Sequence, residues 1–281
     1  MENIPKKEFA EWAIEKSGFK GGDIGSPDRR SIWICGIEEG GEYGCDDSQE
    51  TLEKKIKQDL EKKETLGLGY ENNYDRDYMN SKDFDKGVLK LINAFQKYKI
   101  KDYKSDNWED YKKKLPCKPF VNGDKKRFFK INLFPVASSN EKQWNEHVQK
   151  VTGFNSKEAL RKWCRGNSGS KDVSRQTDDY VKSRFDSIRY WVEIENKPKL
   201  IICFGRGYIS DFKKVFLTNP KESVKPITIC GRKLEIYKDE KSGRIVAICP
   251  FPTTRGKYSL NPKNDDLIQE FGDRIRGEFD K

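Results

Sequence analysis

The sequence predicts an α/β fold: a three-layer sandwich around a central, mostly parallel sheet. Short apolar runs bounded by turn formers recur at Ser31–Cys35, within 127–138 and at Lys199–Phe204. Amphipathic stretches of helical period separate them, over 5–20, 83–99 and much of 140–196. Strands that alternate with helices build a parallel sheet covered on both faces. The chain has 281 residues, enough to bury one full core. No internal repeat or flexible linker divides it, so one domain is expected over 1–281.

Taken in order, residues 5–20 set Phe9, Trp12 and Ala13 on one helical stripe, and 21–30 read as a loop. Ser31–Cys35 is a buried strand that stops at Gly36, and Gly40, Gly41 and Gly44 make the next turn sharp. Open α/β sheets bind ligands beyond the carboxyl ends of their strands, which makes Glu38 and Glu39 the first candidate site residues. Asp46, Asp47 or Ser48 can cap a charged helix to about Lys63, and 66–82 look irregular. The helix over 83–99 puts Phe84, Val88, Leu91, Ile92 and Phe95 on one side. Residues 101–126 read as a polar, lysine-rich loop.

The second strand, in RFFKINLFPVAS, ends at Asn132 and a proline turn. Helices follow over 140–196, interrupted by a glycine/serine loop at 165–172. Lys199–Phe204 is the clearest buried strand, and Gly205-Arg-Gly207 opens a helix to about Phe216. Strands at 226–230, 232–237 and 244–250 precede a basic, proline-punctuated loop and a charged terminal helix.

The 56 Lys and Arg outnumber 46 Asp and Glu, for a net charge of +10. That excess favours a polyanionic partner such as nucleic acid, because released counterions drive association with phosphates. No apolar run is long enough to span a bilayer, and MENIPKKEF lacks a signal-peptide core, so a cytoplasmic protein with no membrane partner is expected. The 7 cysteines include no CxxC pair, and Cys35, Cys203, Cys230 and Cys249 fall within or at the ends of strand-like runs, as small hydrophobes do. His147, the single histidine, sits in a polar helical stretch and reads as a surface residue. No metal and no cofactor are expected.

Four segments, in order, resemble the motifs of the uracil-DNA glycosylase superfamily. Gly36-Ile-Glu-Glu-Gly40 is similar to its first motif, a strand-end glycine turn with an acidic or amide residue two places on. Lys130-Ile-Asn132 resembles its strand ending in asparagine, LIICFGRG its strand with a glycine turn, and Cys249-Pro-Phe-Pro252 its last motif, which usually carries histidine. The matched pieces cover about 40 residues. The resemblance implies a four-stranded parallel sheet between helices, with long insertions at about 45–125 and 139–197. It also implies a monomer acting on DNA, either single-stranded or double-stranded with one base flipped out.

On that resemblance, Glu38 would stabilise the oxocarbenium-like sugar and orient the attacking water. Asn132 would read the flipped base, with Glu39, Tyr43 and Cys249 beside it. A thiol donates hydrogen bonds poorly, so Cys249 cannot replace histidine in steadying a departing uracil. The substrate implied is therefore uracil or a hypermodified pyrimidine, such as the glucosylated hydroxymethylcytosine of some phage DNAs, in a role of repair or phage defence. Phe251 would wedge into the duplex, while Thr253, Thr254, Arg255, Lys257 and Arg206 would hold phosphates. Two other readings remain: a catalytically inactive module of the same fold that binds DNA or a DNA mimic, and a metal-dependent nuclease using Glu38 and Glu39.

Overall fold

The computed structural model describes residues 5–15, 19–38, 49–61, 83–103, 105, 107–117, 128–136, 144, 146–166, 183–194, 198–221 and 224–281. Seven strands form one sheet in the order β1-β3-β2-β4-β7-β6-β5. They are β1 (Phe19–Gly22), β2 (Ser31–Gly36), β3 (Phe128–Asn132), β4 (Pro198–Phe204), β5 (Ile227–Ile229), β6 (Arg232–Lys238) and β7 (Ile245–Cys249). β3, β2, β4 and β7 run parallel at the centre. β1 lies antiparallel on β3, and β6 and β5 continue antiparallel beyond β7. The parallel sheet is thus the middle of a wider, mixed one. β1 is not legible in the sequence because FKGG carries two glycines and one apolar residue, so its composition has no strand pattern.

Central strands must be apolar on both sides, and β2 and β3 are buried at every residue. Their side chains alternate between two cores. Trp33, Cys35, Phe129, Ile131, Ile201 and Cys203 face helices α1 (Lys7–Glu15), α2 (Gln49–Glu61), α5 (Glu146–Thr152), α6 (Lys157–Arg165), α7 (Arg184–Arg189) and α8 (Ile209–Phe216). Ile32, Ile34, Phe128, Ile202, Phe204 and Cys249 face α3 (Asp83–Phe95), α4 (Trp108–Lys114) and α9 (Asp265–Phe279). The outcome is a sheet flanked by helices on both faces, and no described helix is long and apolar enough to cross a membrane.

One predicted segment needs correction. Residues 101–126 are not all loop: Asn107 accepts a hydrogen bond from the Glu109 backbone N–H and caps α4, whose Tyr111 is buried and stacks on Trp108. The insertion over 45–125 supplies part of the core. Its α3 buries Val88, Leu91, Ile92 and Phe95 and crosses α9 where a Cβ on Gly272 would stand 2.4 Å from the Ala94 Cβ. The predicted glycine turn and helix cap over 40–48 and the stretch 66–82 lie outside the described residues, as does the side chain of His147.

The crossovers leave β2 on one side toward β3 and return on the other as β4. The strand order therefore reverses at β2/β4, where α/β sheets open a crevice at their carboxyl ends. Gly205, at φ +121°, lets the Ile37 side chain lie across that junction, since a Cβ there would be 2.4 Å from Ile37 Cδ1.

Candidate functional site at the strand ends

The carboxyl ends of β2, β3, β4 and β7 carry Gly36, Asn132, Phe204 and Cys249. Gly36 pairs with Asn132 in the β2–β3 register. A Cβ on Gly36 would stand 2.5 Å from Asn132 Oδ1 and 3.5 Å from Phe84 Cζ. The glycine is therefore what allows the carboxamide to lie across β2 beneath the Phe84 ring. Asn132 is 4% exposed. Its main-chain carbonyl accepts from Arg184 Nη2 at 2.7 Å, while its carboxamide has no hydrogen-bond partner among the described residues. Arg184, fully buried, also donates to the carbonyls of Leu133 and Ala13 and so ties the end of β3 to α1.

Phe84 is the hub of an aromatic group on this flank. Its ring meets Phe204 edge-on at 5.5 Å and Phe251 at 5.3 Å. Lys130 Nζ lies 5.4 Å from the same ring and forms a buried ion pair with Asp85 at 2.9 Å. The loop after β7 is fastened to α3 beside this group. Pro252 seats on Gly87, where a Cβ would be 2.5 Å from the proline Cβ, and Thr254 donates both its N–H and its hydroxyl to Asp83. Phe251 stays 41% exposed, so an aromatic face is presented to solvent next to the Asn132 floor.

Glu38 goes the other way. Two residues past Gly36, its carboxylate accepts from Arg161 Nη2 at 2.7 Å and from Lys157 Nζ at 3.1 Å, both on α6. Arg161 Nη2 also donates to the Tyr208 hydroxyl at 2.7 Å, and its guanidinium lies over the rings of Phe134 and Tyr208. Glu38 thus joins the α6 layer, whereas the Asn132 carboxamide lies on the α3 layer. The two strand ends are adjacent, but the two side chains are directed to opposite flanks.

The remaining predicted site residues divide. Glu39 and Tyr43 lie outside the described residues. Cys249 is fully buried, and burial alone pushes its thiol well above the ordinary cysteine range, so it stays neutral within the core. Arg206 is already engaged: Nη2 donates to Glu235 at 2.7 Å, and Glu235 also accepts from the Tyr237 hydroxyl. Thr253 and Thr254 serve the loop itself, Thr253 accepting from the Arg255 N–H. Arg255 and Lys257 are exposed, and Lys257 Nζ lies 5.6 Å from the ring of the exposed Tyr258.

Sequence reasoning misses Phe84, Lys157, Arg161 and Tyr208 as site residues. Phe84 reads as one more member of a helical core stripe; its place at the first turn of α3, beyond the strand ends, distinguishes it from Val88 and Leu91. Lys157 and Arg161 are four apart on one helix face, a spacing that can converge two cations on one anion.

Among the described residues no group of three His, Cys, Asp or Glu side chains is arranged to hold a metal ion. Comparison with protein-family models, curated proteins and solved structures finds no match for this chain. Fold and site together define an α/β protein with a strand-end site composed of a carboxamide, an aromatic group and, on the opposite flank, a carboxylate held by two cations.

Proposed function

We propose that the chain is a DNA glycosylase that draws one pyrimidine out of the helix onto the Asn132 floor and hydrolyses its N-glycosidic bond. The observation that carries this reading is the Asn132 carboxamide, nearly buried at a strand end and without a hydrogen-bond partner among the described residues. A carboxamide offers one acceptor and two donors, the complement of a pyrimidine edge, and here neither is committed to a protein partner among the described residues. Phe84 and Phe251 supply aromatic surface for stacking, worth about 1–3 kcal/mol per base. The surplus of 10 positive charges supports a phosphate-rich partner. Glu38 is the acid assigned to stabilise the sugar cation, and the hypermodified pyrimidines of phage DNA are substrates to test beside uracil.

A second reading, base binding without excision, is favoured by the two cations on Glu38. A carboxylate paired with Lys157 and Arg161 gives that locality a positive balance, which opposes a developing sugar cation. Incubation with uracil-containing and hypermodified phage DNA, followed by mass spectrometry of released bases, separates the two. The glycosylase reading expects a released pyrimidine, a loss of at least about 100-fold in Glu38→Ala with DNA binding retained, and indifference to EDTA. DNA binding that depends on Asn132 with no base released from any DNA would establish the second reading instead.

A further inference from the structure

We propose that Lys157 and Arg161 form a phosphate-binding pair that Glu38 occupies in the unbound protein, and that a backbone phosphate of bound DNA takes its place. The inference rests on DNA being the ligand and adds how Glu38 would be released to it.

Two arginines one helical turn apart on α6 show the difference. Arg165 uses its whole fork: Nε and Nη2 donate to the two oxygens of Asp211 at 2.9 and 3.1 Å, and Nη1 to Glu158 at 2.9 Å. Arg161 does not. Glu38 meets it with one oxygen, through Nη2, and gives the other to Lys157, while Arg161 Nε is buried with no hydrogen-bond partner among the described residues. The nitrogen pair that grips Asp211 in Arg165 is thus half used in Arg161. The rings of Phe134 and Tyr208, 5.3 and 5.2 Å away, hold the guanidinium in place.

In its present pose Glu38 splits its two oxygens between Arg161 and Lys157, so Arg161 Nε goes unused. The two non-bridging oxygens of a backbone phosphate can span Nε and Nη2, as the Asp211 carboxylate does at Arg165, and still offer lone pairs to the Lys157 ammonium. Lys157 is also the first residue of α6, directly after the Ser156 cap, where the helix dipole favours an anion. Cys164, on the next turn of α6, adds no negative charge to compete, since burial pushes its thiol up to about 12. Exchange of Glu38 for phosphate would remove both cations from the carboxylate, so that its negative charge would no longer be cancelled where the sugar cation develops.

Inorganic phosphate is the first probe, titrated calorimetrically into the wild-type chain, Glu38→Gln and Glu38→Gln/Arg161→Gln. With its intramolecular competitor gone, Glu38→Gln should bind phosphate roughly tenfold more tightly than wild type, and the added Arg161→Gln should abolish the gain. Should Glu38→Gln fail to fold, the wild-type chain decides: tens of millimolar phosphate should raise its Tm, and Arg161→Gln should cancel the rise. Equal phosphate affinity in wild type and Glu38→Gln would overturn the proposal, as would a Tm shift unaffected by Arg161→Gln. A short single-stranded oligonucleotide should then displace the bound phosphate from Glu38→Gln. Failure to displace it would overturn the DNA origin of the phosphate. None of these readouts uses base release, so they keep their meaning even in a protein that excises no base.

Discussion

The two flanks of the strand-end edge differ in kind. On the α3 flank, Asn132 lies among aromatic rings with its carboxamide uncommitted among the described residues, and the nearby ion pair, Lys130–Asp85, is buried behind Phe84. On the α6 flank two ion-pair groups lie side by side, Glu38 with Lys157 and Arg161, and Arg165 with Glu158 and Asp211. The first is an amide set among aromatic rings; the second is a set of opposite charges paired with one another. Apolar packing can fix an amide without using its hydrogen bonds, whereas a charge held away from water needs a counter-charge or, as at Arg184, a full set of hydrogen bonds. A ligand can therefore add to the α3 flank but must exchange with a partner on the α6 flank.

The largest test removes the ion pair behind the aromatic flank. Lys130→Met leaves Asp85 buried and unpaired, which should lower unfolding free energy by about 3 kcal/mol in urea denaturation. Adding Asp85→Leu should restore most of that loss, because a matched apolar pair needs no solvation. An uncorrected loss in the double variant would show that the pair also orients α3. A narrower test is Gly36→Ala. The new methyl would press on Asn132 Oδ1 at 2.5 Å, a side-chain end that can move, so the cost should stay near ~1 kcal/mol. Displacement of the carboxamide should nonetheless weaken binding of base-containing DNA about tenfold. The phosphate response of the α6 flank should be unchanged, and a parallel fall in both would mean that the flanks are coupled.

Much of the frame is legible in the chain. The strands at Ser31, Phe128, Lys199 and Ile245 announce themselves because central strands are buried on both faces and so run mostly apolar, Lys130 in β3 being an exception that Asp85 neutralises. β1 is hidden by its glycines, so tertiary contact makes it, whereas α4 is hidden by its shortness and polarity although Asn107 marks its start. The strand-end positions of Gly36, Asn132 and Cys249 can be read because strand ends are marked by turn formers. The direction of a side chain past the last strand residue cannot. Glu38 belongs to a bend, where no alternation rule applies, and its α6 partners Lys157 and Arg161 lie 119 and 123 residues further along the chain. Arg206 illustrates the same limit: at a helix start it reads as a phosphate contact, but Glu235 on the antiparallel β6 takes its charge.

The smallest effect concerns how firmly the Phe251 loop is held against α3. Asp83 accepts the hydroxyl and the N–H of Thr254, and these two bonds, the hydroxyl's first, hold its carboxyl below the ordinary aspartate range. A carboxyl depressed in the folded state contributes stability above its unfolded pKa, near ~4, and loses it as pH falls through the lower folded value. The tether should thus be intact at neutral pH and weaken only in acid below about pH 4. Because Asp83 is well solvated, Thr254→Val should cost no more than about 0.5 kcal/mol at neutral pH, and the difference from wild type should vanish at about pH 2. Hydrogen exchange at the Thr254 amide, with Asp83→Asn as control, resolves so small a change. If the amide exchanges at the same rate in all three proteins, the loop is held by Pro252 on Gly87, and the exposed Phe251 owes its position to packing alone.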